Sequence, residues 1–444
     1  MNYQYRRIRE LWDTVRDCYT GTMAVKYGPG AREYLPVSAR EKRDCDANPN
    51  KSMSQYELRK RYAIFENIFK PTIDDMVGLM QKNPPHIAFG ETSDDESPRE
   101  VCDINVYGNL HNDGLKGLKW RLNFHQVLFG RYGLLLDIVT DREGLNPRFS
   151  ISEYPATSIL DGEAIQSRAD GRSTLNWALL DESTFTFNAK SKLWEPHTRY
   201  RVLALDHHGE YYQALIEGKS IRKAWLQFDL KHPPKDVVYP TFKQRRLNFI
   251  PLTVCNVNKL GLQEWQEPPF LDVAHIAIGL YQVDSLYKKA LWNFASPTLS
   301  VSNADRTDKE FFLGDAIWPR SSGEHPVTVS LLETSGVGLA EMRRAKEEMK
   351  QSLKYTSIRE LLDGAGANAS GQAIQLRATS GTACVVAIDQ TGARAIEEQL
   401  VYAAIWAGAT DRQAAQRITY QADTSYLDSS LQLSSMTSFI EKNS

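Results

Sequence analysis

The segment PPFLDVAHIAIGLYQVDSLYKKALWNFASP, residues 268–297, has the periodicity and the boundaries of a long helix. Its apolar residues recur at the three- and four-residue spacing of one helix face, with Asp284 as the exception. Pro269 suits the start of a helix, where a missing amide hydrogen costs nothing, and Pro297 ends it. About 24 residues at roughly 1.5 Å each make a rod roughly 35 Å long.

A second charged helix is predicted further along the chain, in LAEMRRAKEEMKQSL (339–353). Arg343 with Glu347, and Arg344 with Glu348, stand four residues apart, a spacing at which opposite charges stabilise a helix by roughly 0.2–0.5 kcal/mol per pair. Between the two helices, TLSVSN, DAIWPR and VTVSLLET indicate strands and turns. The sequence therefore predicts two charged helices that flank a strand-containing insert.

The part of the chain before these helices begins with helical periodicity. A first helix is predicted from Ile8 to Tyr19 and ends at Gly21. A second helix begins at about Ser54, we expect Pro71 to break or kink it, and a third helical piece continues from Thr72 to Met80. The predicted apolar stripe of the second helix consists of Leu58, Tyr62, Phe65 and Phe69.

A strand-rich middle is predicted to follow an amphipathic segment around Leu118, Leu122 and Val127 that leads to Gly130. YGLLLDIV (132–139) has the length and apolar run of a buried strand. From about 150 to 255 the period changes to two, with turn residues between short segments, which is typical of an antiparallel meander. These segments are WALLDESTFTFNAK, LWEPHTRYRVLALD, EYYQALI, RKAWLQFDL and FIPLTVC.

The C-terminal part is predicted to be mostly helical. DGAGANASGQ (363–372) is a small-residue loop, and ARAIEEQLVYAAIWAG (393–408) has the spacing of another helix. The last 25 residues are polar, and we expect a short helix or strand there and then a frayed end.

Composition excludes several classes of protein. The chain has 53 Lys plus Arg against 55 Asp plus Glu, so it lacks the basic excess of a protein that grips duplex DNA. It has no apolar run of membrane-spanning length and no secretion signal, so we expect it to be made and assembled in a cytoplasm. The five cysteines form no C-x-x-C pair, and we expect them to be reduced and mostly buried: Cys18, Cys45, Cys102, Cys255 and Cys384.

The sequence shows no signature of catalysis, of a cofactor or of a metal. The glycines of 363–372 lack the spacing of a dinucleotide loop, and GKS at 218–220 lacks the first glycine of a phosphate-binding loop. His207 and His208 are adjacent, so on a strand they would point to opposite faces and not chelate one metal. The acidic run at 91–100 is typical of a solvated loop. We therefore expect no catalytic, cofactor-binding or metal-binding residues, and a protein that is not an enzyme.

The order of these elements resembles that of the portal, or head-to-tail connector, proteins of tailed bacteriophages. In the first ninety residues the resemblance is carried by RELWDTVRDCYTG, AVK (24–26), YLP (34–36) and YELRKRYAIFENIFKPTIDDMVGLMQKNPP. It continues over most of the chain through GRYGLLLDI (130–138), PPFLDVAHIAIGLYQVDSLYK, SGQAIQLRATSGTAC and ARAIEEQLVYAAIWAG. These are packing and turn residues, so their order and spacing together carry the resemblance.

The resemblance implies an α+β subunit with a mixed α/β wing, a two-helix stem, a strand-containing clip and a helical crown. The wing would be 1–265, the stem helices 266–294 and 338–354, the clip 295–337, the channel loop and wing return 355–392, and the crown 393–444. It also implies a ring of about twelve copies at the head–tail vertex of a virion, with head-to-tail contacts between copies. Implied partners are a packaging ATPase (terminase), tail adaptor and capsid proteins, and double-stranded DNA in the channel, with no membrane and no cofactor.

The resemblance also suggests residues that touch DNA or partners. Candidates to face the channel are Tyr355, Ile358, Arg359, Lys288, Lys289, Arg343, Arg344, Lys346 and Lys350. Alternatively Ile358 packs in the wing, and the cations pair with glutamates of neighbouring subunits. Trp318 and Arg320 are candidates for docking at the clip. Since the chain carries no phosphate-binding loop and no basic excess, we expect a passive channel through which a separate motor drives the DNA.

Two other functions remain open on the sequence. The chain could be another structural virion protein, such as a minor head or adaptor protein, or a DNA-processing enzyme with an acidic site assembled from distant residues. Ring-shaped particles would separate the portal from the first, and metal-dependent nuclease activity would indicate the second. The sequence leaves open the exact subunit number, the host, the tail type, which residues face the channel, and whether residue 444 is the natural end.

Overall fold

The computed structural model describes the greater part of the chain. The described residues are 3–39, 41–43, 55–89, 101, 103–104, 111, 113–140, 146–166, 173–189, 191–217, 225, 228–233, 237–262, 265–295, 298–302, 328–332, 337–356, 371–409 and 418–425. The predicted acidic loop at 91–100 and the GKS at 218–220 lie outside them.

Helices and antiparallel strands occupy largely separate runs of the described chain, which confirms the predicted α+β class. The helices are α1 Tyr3–Thr20, α2 Thr22–Tyr27, α3 Ala31–Tyr34, α4 Gln55–Tyr62, α5 Phe69–Met80, α6 Gly114–Phe129, α7 Leu271–Ala295, α8 Val337–Thr356 and α9 Gly371–Ala407. The strands are β1 His86–Ala88, β2 Arg131–Val139, β3 Arg148–Pro155, β4 Ile159–Gln166, β5 Ser173–Asp181, β6 Thr184–Asn188, β7 Leu193–His197, β8 Arg199–Leu205, β9 Tyr211–Glu217, β10 Leu252–Asn256, β11 Thr298–Ser302, β12 Thr328–Leu332 and β13 Thr419–Gln421.

The chain forms two compact units, and each is discontinuous in sequence. The first unit comprises Met1–Thr20, Ile68–Ala274 and Lys354–Ser444. The second comprises Gly21–Asn67 and His275–Leu353, and it holds most of the two predicted charged helices.

Two antiparallel sheets form the middle of the first unit, with strand orders β10-β2-β3 and β4-β5-β8-β9. The first six residues of β2 are buried, so the buried strand predicted at 132–139 is confirmed. The predicted meander is confirmed for the four-stranded sheet. β10 departs from the meander because it pairs with β2, where Leu252 lies opposite Leu135. The segment around Trp225 was predicted as a strand, but Trp225 itself is helical.

The β6–β7 hairpin is a separate two-stranded sheet inserted between β5 and β8. Phe187 lies opposite Trp194, and their ring centroids are 5.7 Å apart. Both rings are exposed.

α6 and α9 pack into the core of the first unit beside the three-stranded sheet. α6 ends at Gly130, whose φ of 74° is the left-handed conformation that favours glycine, as the sequence suggests. α9 begins at Gly371 and is longer than the helix predicted at 393–408, so the predicted small-residue loop ends earlier than expected. The rest of that loop lies outside the described residues.

Gly392 of α9 lies so close to α6 that a side chain has no room. A Cβ at this position would lie 2.4 Å from Leu122 Cδ2 and 2.8 Å from Gln126 Oε1. We expect Gly392→Ala to lower the free energy of unfolding by about 1–3 kcal/mol, because overpacking forces its neighbours to shift. Urea denaturation measures the change. Gly78→Ala in α5 is the matched control, since nothing lies within 4 Å of its Cβ position; an equal loss in both variants would contradict the prediction.

His125 of α6 is half-buried and stacks on Tyr132, with ring centroids 4.5 Å apart. Burial, together with the positive charge of Arg121, lowers the pKa of His125 from 6.5 to about 4. The unfolded chain therefore takes up a proton at a higher pH than the folded chain does. We expect the first unit to lose stability as the pH falls from 6.5 towards 4, by about 3 kcal/mol in full.

His125→Phe removes this titration and keeps an aromatic ring against Tyr132. The free energy of unfolding should then depend less on pH between about 6.5 and 5, where carboxylates are still ionised. A slope as steep as that of the wild-type chain would show that another group titrates.

The helical piece predicted at 72–80 is confirmed as part of α5, but the boundary before it differs from the one predicted at Pro71. α4 ends at Tyr62, and Pro71 lies in the first turn of α5, where its missing amide hydrogen costs nothing. The predicted apolar stripe is wrong for α4, because Leu58 and Tyr62 are exposed whereas Tyr56 and Arg59 are buried. The burial of an arginine in place of a leucine points to a polar interior in the second unit.

His207 and His208 lie in the turn between β8 and β9 and not on a strand. Their ring centroids are 3.7 Å apart, and the argument from opposite faces of a strand does not apply to residues in a turn. In the described part of the chain no group of three or more His, Cys, Asp or Glu side chains could hold a metal ion. Cys18 and Cys255 are buried free thiols and Cys384 is half-buried.

The second unit contains the strand-containing insert that the sequence predicts between α7 and α8. β11 and β12 pair antiparallel, with Thr298 opposite Leu332 and Ser302 opposite Thr328. The strands predicted in TLSVSN and VTVSLLET are therefore confirmed, while DAIWPR lies outside the described residues. Near the C-terminus, β13 pairs with β1, which the sequence did not predict.

Candidate functional site

The candidate site is the pair of helices α7 and α8 in the second unit. α7 is 25 residues long, close to the predicted rod, and α8 is 20 residues long. They flank the β11–β12 pair in sequence. Beside Gly279 of α7, the nearest atoms to a Cβ would be the Sδ and Cε of Met349 at 3.8 and 3.9 Å, so the two helices lie side by side.

Asp284 is the one charged residue in the apolar face of α7, and the structure shows what surrounds it. Its side chain is 4% exposed and accepts hydrogen bonds from Lys346 Nζ at 2.6 Å and from the Ile64 amide at 2.8 Å. Lys288 Nζ lies 3.2 Å away. Burial alone would raise the pKa of Asp284, but the bonds from Lys346, Ile64 and Lys288 outweigh it and hold the pKa below its usual value. Asp284 is therefore a buried anion that joins α7 to α8.

Glu66 extends this ion-pair network along α8. Its carboxylate lies 3.5 Å from Lys346 Nζ and 2.9 Å from Lys350 Nζ. Burial would raise the pKa of Glu66, but hydrogen bonds from Lys350 and Lys346 lower it. The two lysines of α8 thus point inwards to carboxylates of their own unit.

A second buried ion pair lies beneath a cleft beside α7. Glu41, 1% exposed, accepts bonds from Arg59 Nε at 2.8 Å and from Lys289 Nζ at 3.2 Å. Arg59 also donates to Ser285 Oγ at 3.2 Å and to the Pro36 carbonyl at 2.7 Å. Burial would raise the pKa of Glu41, but the bonds from Arg59 and from Ser38 lower it to about 2.

These contacts show the ion-pair partners of most of the six lysines and arginines that the sequence predicts as channel-facing on α7 and α8, here called the stem cations. Lys288, Lys289, Lys346 and Lys350 each have a carboxylate within 4 Å inside the second unit. Arg343 and Arg344 are exposed, and Arg344 pairs with Glu348 at 3.0 Å, as the four-residue spacing predicts. Whether any of the six faces a channel, or pairs with a neighbouring subunit, stays a prediction.

The other candidate residues lie outside what the structure describes. Ile358, Arg359, Trp318 and Arg320 fall in segments that are not described, and the side chain of Tyr355 is not described either. Their proposed roles at the channel and at the clip stay predictions.

Sequence reasoning missed the carboxylates Glu41 and Glu66 and the arginine Arg59. The one sequence feature that indicated this ion-pair network was Asp284, a charged residue in an apolar helix face. A buried charge requires a partner, but the sequence does not show which residue that is. Lys288 is four residues from Asp284, but the other two partners, Ile64 and Lys346, are far away in sequence, so no local pattern could have found those two.

Comparison with known proteins identifies no family for the chain. No protein-family model matches the chain, and no curated protein matches it in sequence. Among solved structures, the chain is similar to one in a structure described as the neck of an empty GTA particle computed with C6 symmetry. The identity is 11%, the TM-score is 0.36, and 85% of each chain is covered. Within the described part of the chain, no helix is long and apolar enough to cross a membrane. Any functional assignment therefore rests on the helices, strands and ion pairs of the chain itself.

Proposed function

We propose that this chain is a portal-type subunit: a non-enzymatic protein that forms a ring-shaped channel at the head–tail vertex of a phage-like particle. Double-stranded DNA passes through the ring during packaging and ejection. A separate ATPase docks on the strand-containing insert and drives the DNA, and adaptor and capsid proteins bind the same ring.

One observation carries the proposal. Two long helices flank an antiparallel strand pair, and the ion pair from Lys346 of α8 to Asp284 of α7 fastens the helices to each other. This is the arrangement that a two-helix stem with a clip at its end requires. A stem has to carry load between a motor and the rest of the ring, and buried ion pairs fix the register of the two helices.

The charge distribution supports a channel that does not hold its DNA. The chain has a net charge of −2, and five of the six stem cations are already paired with carboxylates of their own chain. Few phosphates can then be neutralised, so little affinity comes from counterion release.

We expect the purified protein to hydrolyse no ATP by itself and to bind duplex DNA weakly, with a Kd of about 1 μM or more at physiological salt. Fluorescence anisotropy with a labelled duplex measures the affinity, and a salt series measures the number of phosphate contacts. Nanomolar affinity at physiological salt, or metal-dependent cleavage of the duplex, would contradict the proposal and favour a DNA-processing enzyme.

A further inference from the structure

The C-terminal half of α7 carries an uncovered apolar surface, here called the α7 patch. Leu286, Leu291, Trp292 and Phe294 are between 43% and 63% exposed, and Tyr62 of α4 is 50% exposed. The rings of Tyr62 and Trp292 stack with centroids 5.8 Å apart and planes 17° from parallel. A helix that is apolar around most of its circumference is normally covered by protein on all sides, and this half of α7 is not.

The exposed apolar area of the α7 patch is closer to that of a protein–protein interface than to that of an ordinary monomer surface. Val37, Leu58 and Ile64 belong to the same unit and are also 37–55% exposed. The five side chains of the α7 patch alone leave on the order of several hundred Å² uncovered, a large part of the ~800 Å² that one partner contributes to a standard interface. Monomeric proteins rarely expose a contiguous apolar patch of more than a few hundred Å².

Basic residues belong to the segments that carry the patch. Lys42, Arg43 and Arg61 are exposed, and Lys288 and Lys289 keep 28% and 35% of their side chains in solvent. Among the acids of the same segments, Glu41 and Asp284 are buried, Glu57 and Glu66 are about one-third exposed, and Glu33 is exposed, so the exposed basic groups outnumber the exposed acidic ones. The second unit therefore presents an apolar centre with a basic rim to a partner.

The outer face of α8 has the opposite character. Glu341, Glu347 and Glu348 are exposed there against two arginines, Arg343 and Arg344. Lys346 and Lys350, which would otherwise reverse the balance, are drawn inwards to Asp284 and Glu66. The same chain thus carries an acidic helix face that complements its own basic-rimmed patch.

We infer that the α7 patch of one copy docks against the outer face of α8 on a second copy. The two surfaces are different, so the contact is heterologous and passes from copy to copy until a ring closes. Apolar contacts of Trp292 give affinity, and the charges of the rim set the orientation. The inference rests on the proposed function in one respect: it takes the partner to be another copy of this chain.

Trp292→Ala tests the inference, and Trp194→Ala is the matched control. Trp194 is 67% exposed in the β6–β7 hairpin, about as much as Trp292 at 63%, so both variants remove an exposed indole. In sedimentation velocity over a dilution series, we expect Trp292→Ala to need a protein concentration roughly tenfold or more higher for half-assembly, and Trp194→Ala to behave as the wild-type chain does. Circular dichroism checks that both variants are folded.

Glu347→Lys combined with Glu348→Lys is a second variant that does not depend on Trp292. Both positions are exposed, so folding should persist while assembly weakens by a factor that added salt reduces. Carbodiimide cross-linking of an equal mixture of ¹⁴N- and ¹⁵N-labelled chains should join Lys42 or Lys289 of one copy to Glu341, Glu347 or Glu348 of the other.

The outcomes separate the two proposals. A wild-type chain that forms rings, with Trp292→Ala and the double Glu→Lys variant assembling equally well, would overturn the interface and leave the proposed function standing. A wild-type chain that stays monomeric at every concentration would contradict the proposed function and the interface together.

Discussion

Asp389→Leu in α9 is expected to lower the free energy of unfolding of the first unit by about 3–5 kcal/mol. Asp389 is fully buried and Lys119 of α6 is 2% exposed, and their charged atoms are 3.0 Å apart. Asn123 Nδ2 also donates to Asp389, at 3.0 Å. Removing the carboxylate leaves the ammonium of Lys119 buried, and among the described residues the Met80 carbonyl, 3.4 Å away, is the one acceptor that remains.

The double variant Lys119→Met with Asp389→Leu separates the charge effect from the loss of packing. Replacing both members of a buried pair by apolar residues of similar size is often neutral, so the double variant should recover most of the stability lost in the single one. Urea denaturation of the wild-type chain, of Asp389→Leu, of Lys119→Met and of the double variant gives the coupling free energy. If the double variant is as unstable as the sum of its single changes, Lys119 and Asp389 do not act as a pair.

Glu41→Gln is expected to cost the second unit about 3–5 kcal/mol. The substitution preserves shape but leaves the guanidinium of Arg59, 7% exposed, without its buried counter-charge. Lys289 loses the same partner. Because the pKa of Glu41 is lowered to about 2 from 4.5, the stabilisation is present above pH 4.5 and is lost as the pH falls towards 2.

Glu33→Gln is the matched control for Glu41→Gln. Glu33 belongs to α3 of the same unit and is exposed, so the same chemical change there should alter stability by less than about 0.5 kcal/mol. Thermal and urea unfolding at pH 7 measure both variants. Equal effects at the two positions would show that the buried network around Arg59 contributes little.

The sequence predicts the elements whose signals are local. The apolar spacing and the two prolines of 268–297 place α7 within a few residues, and the apolar run of 132–139 places β2. Gly130 marks the end of α6 because its backbone has the left-handed conformation, which favours glycine. The strand pair between α7 and α8 follows from β-favouring residues alone.

The elements that the sequence misses depend on tertiary structure. Pro71 predicts a break in a helix, yet it lies in the first turn of α5. A proline is tolerated there because the first amide groups of a helix have no partner within it. α9 extends back to Gly371 through glycine, serine and threonine, whose low helix propensity hides the helix. Arg59 occupies a buried position of α4 because Glu41, eighteen residues away in sequence, supplies its counter-charge.

The candidate site also combines features that a local sequence pattern predicts with contacts that depend on tertiary structure. The sequence locates the charged helices and their i, i+4 pair, Arg344 with Glu348. It cannot show that Lys346 and Lys350 turn towards Asp284 and Glu66, since those contacts join segments that are distant along the chain. The ion-pair partners of the lysines predicted as channel-facing are therefore visible in the structure and not in the sequence.

Electron microscopy of the purified protein tests the central claim most directly. Class averages in negative stain should show rings of one size with a central hole wide enough for duplex DNA, and their rotational symmetry should give about twelve copies. Monomers, closed shells or discs without a hole would contradict the portal assignment, whatever the stability of the two units.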